Sequence, residues 1–373
     1  MKIALVHDWL NQYGGAERVL EVLHDLYPGA PIYTSIYDPA AMPDAYRRWQ
    51  IHTSFMQRLP LVKRRHQPFM PLYPLAFEQF NLMDYQLVIS NSSAFCHGVL
   101  TSPGACHICY CLTPTRFVWN YHEYVRDENV GFLARRFLPL LLNQLRLWDR
   151  VAADRVDEFI AISDAVAARV AKYYQRPSLV IHPPVDCSSF RPAAEVGDYF
   201  LVVSRLVPYK RVELAVRAFN ELGLPLVVAG DGRDRPRLER LAKPNIRFLG
   251  RVGERSLRDL YARCKALVFP GEEDFGLTPV EAQASGRPVI AYAAGGALET
   301  VVEGETGLFF RERSPDSLAE AVRRFRVEDF DPRAARRNAE RFDVPAFKER
   351  FAAFVAEKTA GAGPARPRAG VAE

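Results

Sequence analysis

"YFLVVSRLVPYKRVELAVRAF" occupies residues 199–219. Its first five residues are apolar throughout rather than alternating, which suits a strand covered on both faces, as in a parallel sheet. A short basic loop with Arg205 and Lys210 follows, and then a segment of helical period. Strand, loop, helix is the unit of a doubly wound α/β domain, and its neighbours repeat it. After it come "PLVVAG" (225–230), "IRFLG" (246–250), "ALVFP" (266–270), "RPVIAY" (287–292) and "GLFF" (307–310), with helical patterns between most of them. Before it come "KIALV" (2–6), "YQLVIS" (85–90), "HICYC" (107–111), "EFIAIS" (158–163) and "SLVIH" (178–182), with "AERVLEVLHDL" (16–26) as the first helix. Two such runs predict an α/β protein of two doubly wound, Rossmann-like parallel-sheet domains facing a cleft. The proline-rich stretch 183–198 reads as the linker, so the expected domains are 1–183 and 184–358, the last helix being a candidate to cross back to the first domain. The Gly/Ala/Pro/Arg-rich tail 359–373 is expected to be disordered.

A chain of 373 residues with 49% hydrophobic and 25% charged residues has room for two large cores. The net charge of +5 permits an anionic partner without demanding one, and no feature calls for nucleic acid. The six cysteines are scattered and form no disulfide framework, which points to a reducing, cytoplasmic setting. Three of them crowd "ACHICYC", but a metal site needs a second cluster at matching spacing; a buried strand of small side chains is the plainer reading, and no metal is expected. His7 and Asp8 end the first apolar run too early for a signal peptide. No stretch approaches the roughly 18 apolar residues of a spanning helix.

The chemistry concentrates in "EEDFGLTPVE" (272–281), just after the strand "ALVFP". Ligands of open α/β sheets bind at the carboxyl ends of strands. Thr278 reads as an N-cap, Pro279 as the first helical residue, Glu281 as the third and Gly286 as the stop, so a capping box can account for Glu281. It does not account for Glu273 or for Gly276. Carboxylates beside a helix N-terminus suit a ligand carrying both hydroxyls and phosphate, which describes a nucleotide sugar. Arg205 and Lys210 at the mouth of their strand suit phosphate, the first as a fork and the second as a point charge. Gly14-Gly15, after the first strand, allows close backbone approach. Neither this diglycine nor "AGDGRDR" (229–235) makes a dinucleotide fingerprint, which counts against an NAD or FAD enzyme.

These segments resemble the retaining glycosyltransferases of sequence family 4, which have the GT-B fold. The most specific parts are "SRLVPYKRVELAVRAF", "VFPGEEDFGLTPVEAQASGRPVIAYAAGG", "AADRVDEFIAIS" and "IHPPVDCSSF". Within that family the chain is most similar to bacterial mannosyltransferase-type enzymes of surface-polysaccharide assembly. The resemblance implies that Arg205 and Lys210 bind the donor diphosphate and that Glu273 holds hydroxyls of the donor sugar. Phe275, Gly276 and Leu277 would offer backbone amides, Thr278 would face phosphate, and Glu281 would bind the ribose. Gly14 and Gly15 would approach the donor, and Arg251 and Val252 would lie near the base. Glu273, Arg205 and Lys210 are then the candidate catalytic residues, with no cofactor beyond the donor substrate, GDP-mannose by subgroup, and no metal.

One position departs from the family. Related sequences carry a histidine where "YCLTPTRFVW" has Leu112. His97, His107 and Arg116 are the nearby candidates for a sugar or acceptor site. A sugar-nucleotide epimerase or hydrolase on the same fold, or an inactive nucleotide-binding homologue, is the alternative reading. Finally, 54–80 interleaves Arg58, Lys63, Arg64 and Arg65 with apolar and aromatic residues, and 132–148 adds a second apolar-basic stretch. Either a buried helix and loop or an interfacial patch for anionic lipid explains them. The second reading implies a cytoplasmic protein docked on the inner face of the membrane and a polyprenyl-diphosphate-linked glycan as acceptor.

Overall fold

A computed structural model describes residues 1–119 and 132–360, with the side chains of 132–137 outside the description. The chain divides into two compact units, Met1–Ile181 together with the chain from Lys348 onward, and His182–Phe347.

The first unit holds a seven-stranded parallel sheet in the order β3-β2-β1-β4-β5-β6-β7. Its strands are β1 Ile3–His7, β2 Ile32–Thr34, β3 Ile51–Thr53, β4 Leu87–Ser92, β5 Cys106–Cys111, β6 Glu158–Ala161 and β7 Leu179–Val180. β4 and β5 are buried along their whole length, the expected mark of a central parallel strand. The cysteines of "ACHICYC" therefore serve as small core side chains. β2 and β3, only three residues each, were not foreseen from sequence; pairing beside β1, not intrinsic pattern, makes them strands.

The second unit holds a six-stranded parallel sheet in the order β10-β9-β8-β11-β12-β13. Its strands are β8 Phe200–Val203, β9 Leu226–Ala229, β10 Ile246–Gly250, β11 Leu267–Phe269, β12 Val289–Tyr292 and β13 Gly307–Phe310, one for each predicted segment. The helices Val212–Leu222 and Pro315–Arg324 bury one face each in a core with Phe200, Val228, Val268 and Ile290. In this order the chain reverses direction between β8 and β11, and such a switch point opens a crevice at the strands' carboxyl ends.

The stretch 183–198 is not a free tether. Val185 donates its N–H to Phe342 O (2.9 Å) and Cys187 to the Asp343 carboxylate (3.1 Å), so it packs within the second unit. The last helix, Val344–Ala360, passes from the second unit to the first at Lys348. There Phe351 meets Tyr110 edge-on, and Lys358 pairs with Glu158 at 3.2 Å. Thr359 and Ala360 complete this helix instead of beginning the tail; 361–373 lie outside the described residues.

The basic-aromatic stretch 54–80 is folded mainly inward. Met56, Val62, Tyr73 and Phe77 are buried, and Phe55, Phe69, Met70 and Leu72 lean on the same core. The aromatics are thus occupied by the protein interior, which corrects the picture of a row of rings offered to lipid. What faces outward is narrower: Arg58, Arg64, Arg65, Leu75 and Leu61, the last 71% exposed at a left-handed turn (φ 60°). On the helix Phe132–Asp154, Leu142 and Leu145 are buried while Leu140 and Leu147 are exposed. Among the described residues no helix is long and apolar enough to cross a membrane.

Candidate functional site

The switch point of the second sheet brings together the loop after β8 and the loop after β11. Lys210 ends a short 3-10 turn, Pro208–Lys210, that Arg211 closes in the left-handed region (φ 54°). Its ammonium meets Glu273 Oε2 at 2.5 Å, the two side chains being 14% and 22% exposed. The ring of Tyr209 lies 5.3 Å from the same nitrogen. Arg205 is exposed and donates from Nη2 to the Tyr209 hydroxyl (2.8 Å). Lys210 and Glu273 are far apart along the chain, so only the sheet order makes them partners.

Glycines let these loops close up. A Cβ at Gly271 would stand 2.8 Å from Lys210 O, and one at Gly296 would stand 2.2 Å from the Phe275 Cα. Gly296 N–H also bonds Glu273 O (2.9 Å), which fixes the Glu273 backbone from the side of β12. Gly230 and Gly232 do the same against Ser204 and Leu206, where a Cβ would meet backbone oxygen at 1.9 and 2.2 Å. The glycines of "AGDGRDR" thus serve loop packing.

The helix after β11 begins two residues earlier than expected. It spans Leu277–Ala284, and its N-cap is Gly276 at φ 87°, a conformation that favours glycine, with no side-chain cap. Thr278 is therefore inside the first turn, and no capping box forms. Glu281 instead is 3% exposed and accepts the Tyr261 hydroxyl at Oε2 (2.7 Å). Tyr261 comes from the helix Glu254–Arg263, and no local motif in the sequence marks it. Phe275 is buried between the rings of His182 and Phe342, both at 5.4 Å, so only its backbone is on offer. Arg251 is exposed and Val252 half-buried, just past the left-handed Gly250.

In the first unit, Gly14 caps the helix Gly15–Leu26 in an extended conformation with no side-chain bond. Behind it His7 Nε2 lies 3.4 Å from Glu17 Oε1, and Asn91 Nδ2 donates to Ala16 O (2.8 Å). Asp8, at the switch point between β1 and β4, accepts five hydrogen bonds. Ser93 N (2.6 Å), Ser93 Oγ (2.9 Å) and Ala94 N (2.9 Å) reach Oδ2, while Phe95 N (2.7 Å) and Cys96 N (2.8 Å) reach Oδ1.

The histidine candidates do not reach a site. His107 is fully buried in β5 against Ser90 Oγ (2.9 Å), and burial, then the nearby His97 and Arg155, push its pKa down to about 3. His97 is buried between Trp148 and Tyr174, with Nδ1 on Ser92 Oγ (3.2 Å) and Nε2 3.5 Å from Asp149 Oδ1. Neither stands in for a histidine at Leu112, and the expected sugar contact is corrected for both. Asp149 is the hub there: Thr115, Trp119 and Tyr174 donate to it at 2.6, 2.7 and 2.9 Å, and burial nevertheless raises its pKa. Through Thr115 and Trp119 it holds the loop carrying Leu112 and the half-buried Arg116. Among the described residues no three His, Cys, Asp or Glu side chains are grouped to hold a metal ion.

Two Rossmann-like parallel-sheet domains, of seven and six strands, define the GT-B fold class. Residues 13–189 match the family described as Glycosyltransferase Family 4, and 190–342 match Glycosyl transferases group 1; the chain is built of these two glycosyltransferase domains. A D-inositol 3-phosphate glycosyltransferase of Streptomyces avermitilis is 33% identical over 233 residues, 51% of this chain and 49% of the relative. An uncharacterized glycosyltransferase of Methanocaldococcus jannaschii is 28% identical over 184 residues, 48% of this chain and 52% of the relative. The chain thus spans about half the length of these curated relatives. Among solved structures, HepE of Anabaena in complex with UDP superposes with a TM-score of 0.70 at 18% identity, covering 96% of this chain and 100% of that one. Sucrose-phosphate synthase of Thermosynechococcus elongatus gives 0.72 at 19%, with the same coverage.

Proposed function

We propose that the protein is a retaining hexosyltransferase that moves a sugar, mannose in first place, from a nucleotide diphosphate sugar to a lipid-linked glycan in surface-polysaccharide assembly. The observation that carries this reading is the meeting of Lys210 and Glu273 at the switch point, beside the start of the helix Leu277–Ala284. Arg205 and Lys210 take the donor diphosphate, and with the helix N-terminus they offset the charge that develops on the leaving group. Glu273 accepts hydrogen bonds from sugar hydroxyls. Glu281 takes the ribose, with Tyr261 holding one of its oxygens. No metal enters this scheme, because the cations and the dipole supply the positive charge.

GDP-mannose is the first donor to test, by the subgroup resemblance. UDP-glucose is the second, because HepE has been solved in complex with it. Incubation with a panel of nucleotide sugars, with and without a polyprenyl-diphosphate-linked glycan, tests the reading. Transfer to the acceptor supports it; an isomerised or hydrolysed donor replaces it with the epimerase or hydrolase reading, and binding without turnover replaces it with an inactive homologue.

Docking on an anionic membrane surface is part of the same proposal, now resting on Arg58, Arg64, Arg65 and the exposed Leu61 and Leu75. Each cation close to such a surface contributes about 1 kcal/mol. Co-sedimentation with vesicles rich in anionic lipid should fade with salt and drop when Lys63, Arg64 and Arg65 are changed to Ser. Equal recovery in the supernatant under every condition removes the membrane from the reading.

A further inference from the structure

The pair Lys210–Glu273 joins a group assigned to the diphosphate and a group assigned to the sugar. The two satisfy each other at 2.5 Å, in a place where both are largely shielded from water. Shielding strengthens the attraction above that of an exposed pair. The contact is also imposed by the backbones. Gly271 lies directly on the Lys210 carbonyl, Gly296 N–H holds the Glu273 carbonyl, and Gly295 packs on the same carbonyl with no room for a Cβ. The two loops therefore hold the backbones of Lys210 and Glu273 side by side.

An ammonium has three donors but a single charge, and a diphosphate arriving at Lys210 brings several negative charges beside the Glu273 carboxylate. The two anions compete for the Lys210 ammonium. A sugar nucleotide relieves this competition, because its sugar hydroxyls donate to Glu273 as Lys210 turns to phosphate. A nucleoside diphosphate without the sugar does not: Glu273 loses its partner and gains none, in a site where an unpaired carboxylate is costly.

Resting on the donor-site reading above, we infer that Glu273 also competes with the diphosphate for Lys210 and so expels the spent nucleotide after transfer. The pair discriminates substrate from product by the hydroxyls that only the sugar nucleotide brings to Glu273. Removing the carboxylate charge weakens the hold on the sugar nucleotide and tightens the hold on the nucleoside diphosphate.

The test is calorimetric titration of the full chain with GDP and with UDP, which requires no acceptor. Glu273→Gln, Lys210→Ala and the double variant are compared with the unmodified protein, and Glu273→Ala repeats the test should the glutamine disturb the loop. For whichever nucleotide binds, Glu273→Gln should bind it about five- to tenfold more tightly, equivalent to about 1–1.4 kcal/mol. Lys210→Ala should weaken it, and on that background Glu273→Gln should bring no gain. If Lys210→Ala weakens binding while Glu273→Gln leaves it unchanged or weaker, the competition is refuted and the diphosphate role of Lys210 stands. If Lys210→Ala changes nothing, or neither nucleotide binds, the donor-site reading itself falls.

Discussion

Changing Asp8 to Asn removes one acceptor oxygen and a charge while keeping the shape of the side chain. In the native protein Oδ1 takes two backbone N–H groups and Oδ2 takes two more with the Ser93 hydroxyl. An amide can keep one of those oxygens. Its NH2 group then faces at least two backbone N–H groups that have nowhere else to donate, since Asp8 and residues 94–96 are buried. Each buried donor left without a partner costs about 1–3 kcal/mol. Two of them set an expected loss of about 3 kcal/mol, at the upper end for a single substitution. For a unit of this size that corresponds to about 6–12 °C in melting temperature. The assay is a thermal melt followed by near-UV circular dichroism, with amide hydrogen exchange read at residues 93–96. Exchange should accelerate at those amides before it does in β4. A variant that melts within a degree of the parent, with unchanged exchange there, would refute the claim that this carboxylate anchors the loop at the first sheet's switch point.

Arg205→Ala and Lys210→Ala should each weaken donor use by about 1.5–3 kcal/mol, the worth of a hydrogen bond to a charged group, in variants that still fold; wild-type kinetics in both folded variants would remove them from the diphosphate. Tyr261→Phe should cost about 1 kcal/mol of affinity for a ribonucleotide, and the loss should vanish with the 2′,3′-dideoxy nucleotide; an equal loss for both sugars would make the Tyr261–Glu281 bond structural only. Acid should destabilise the first unit early, because burial lowers His107 to about 3 and His66 to about 4. The unfolded chain then binds more protons than the folded one, so this stability is complete above an unfolded pKa of about 6.5 and is lost as pH falls, at up to about 1.4 kcal/mol per pH unit for each ring. Asp149, whose pKa burial raises, works in the opposite direction at the acid end. Urea midpoints at pH 7, 6 and 5 measure the slope, and His66→Phe should flatten it.

The strands were legible where they are long, apolar and central. β4, β5 and the strands of the second unit announce themselves as short, mainly apolar runs, the mark of parallel strands covered on both faces, although the edge strand β10 carries the exposed Arg247. β2 and β3 carry no such signal, since strands of only three residues take their conformation from the neighbours they pair with. The site residues Lys210 and Glu273 could be named from local context, each sitting just past a predicted strand. Glycine's conformational freedom and the loop-after-strand rule are local facts, and local facts survive in a sequence.

Partnership is not local. Nothing in "EEDFGLTPVE" says that Glu281 meets Tyr261, or that Gly276 rather than Thr278 begins the helix. His97 and His107 looked available because histidine is polar and lay near a motif, yet the sheet carried one into a central strand and packed the other between aromatic rings. The rings of 54–80 read as a surface until a core claimed them. The sequence by itself determined that two doubly wound sheets would form and which loops would stand at their carboxyl ends, because periodicity and backbone preference act over a few residues. The strand order decided which charges meet, which are buried and which compete, because electrostatic and packing energies depend on distances in space that spacing along the chain does not record.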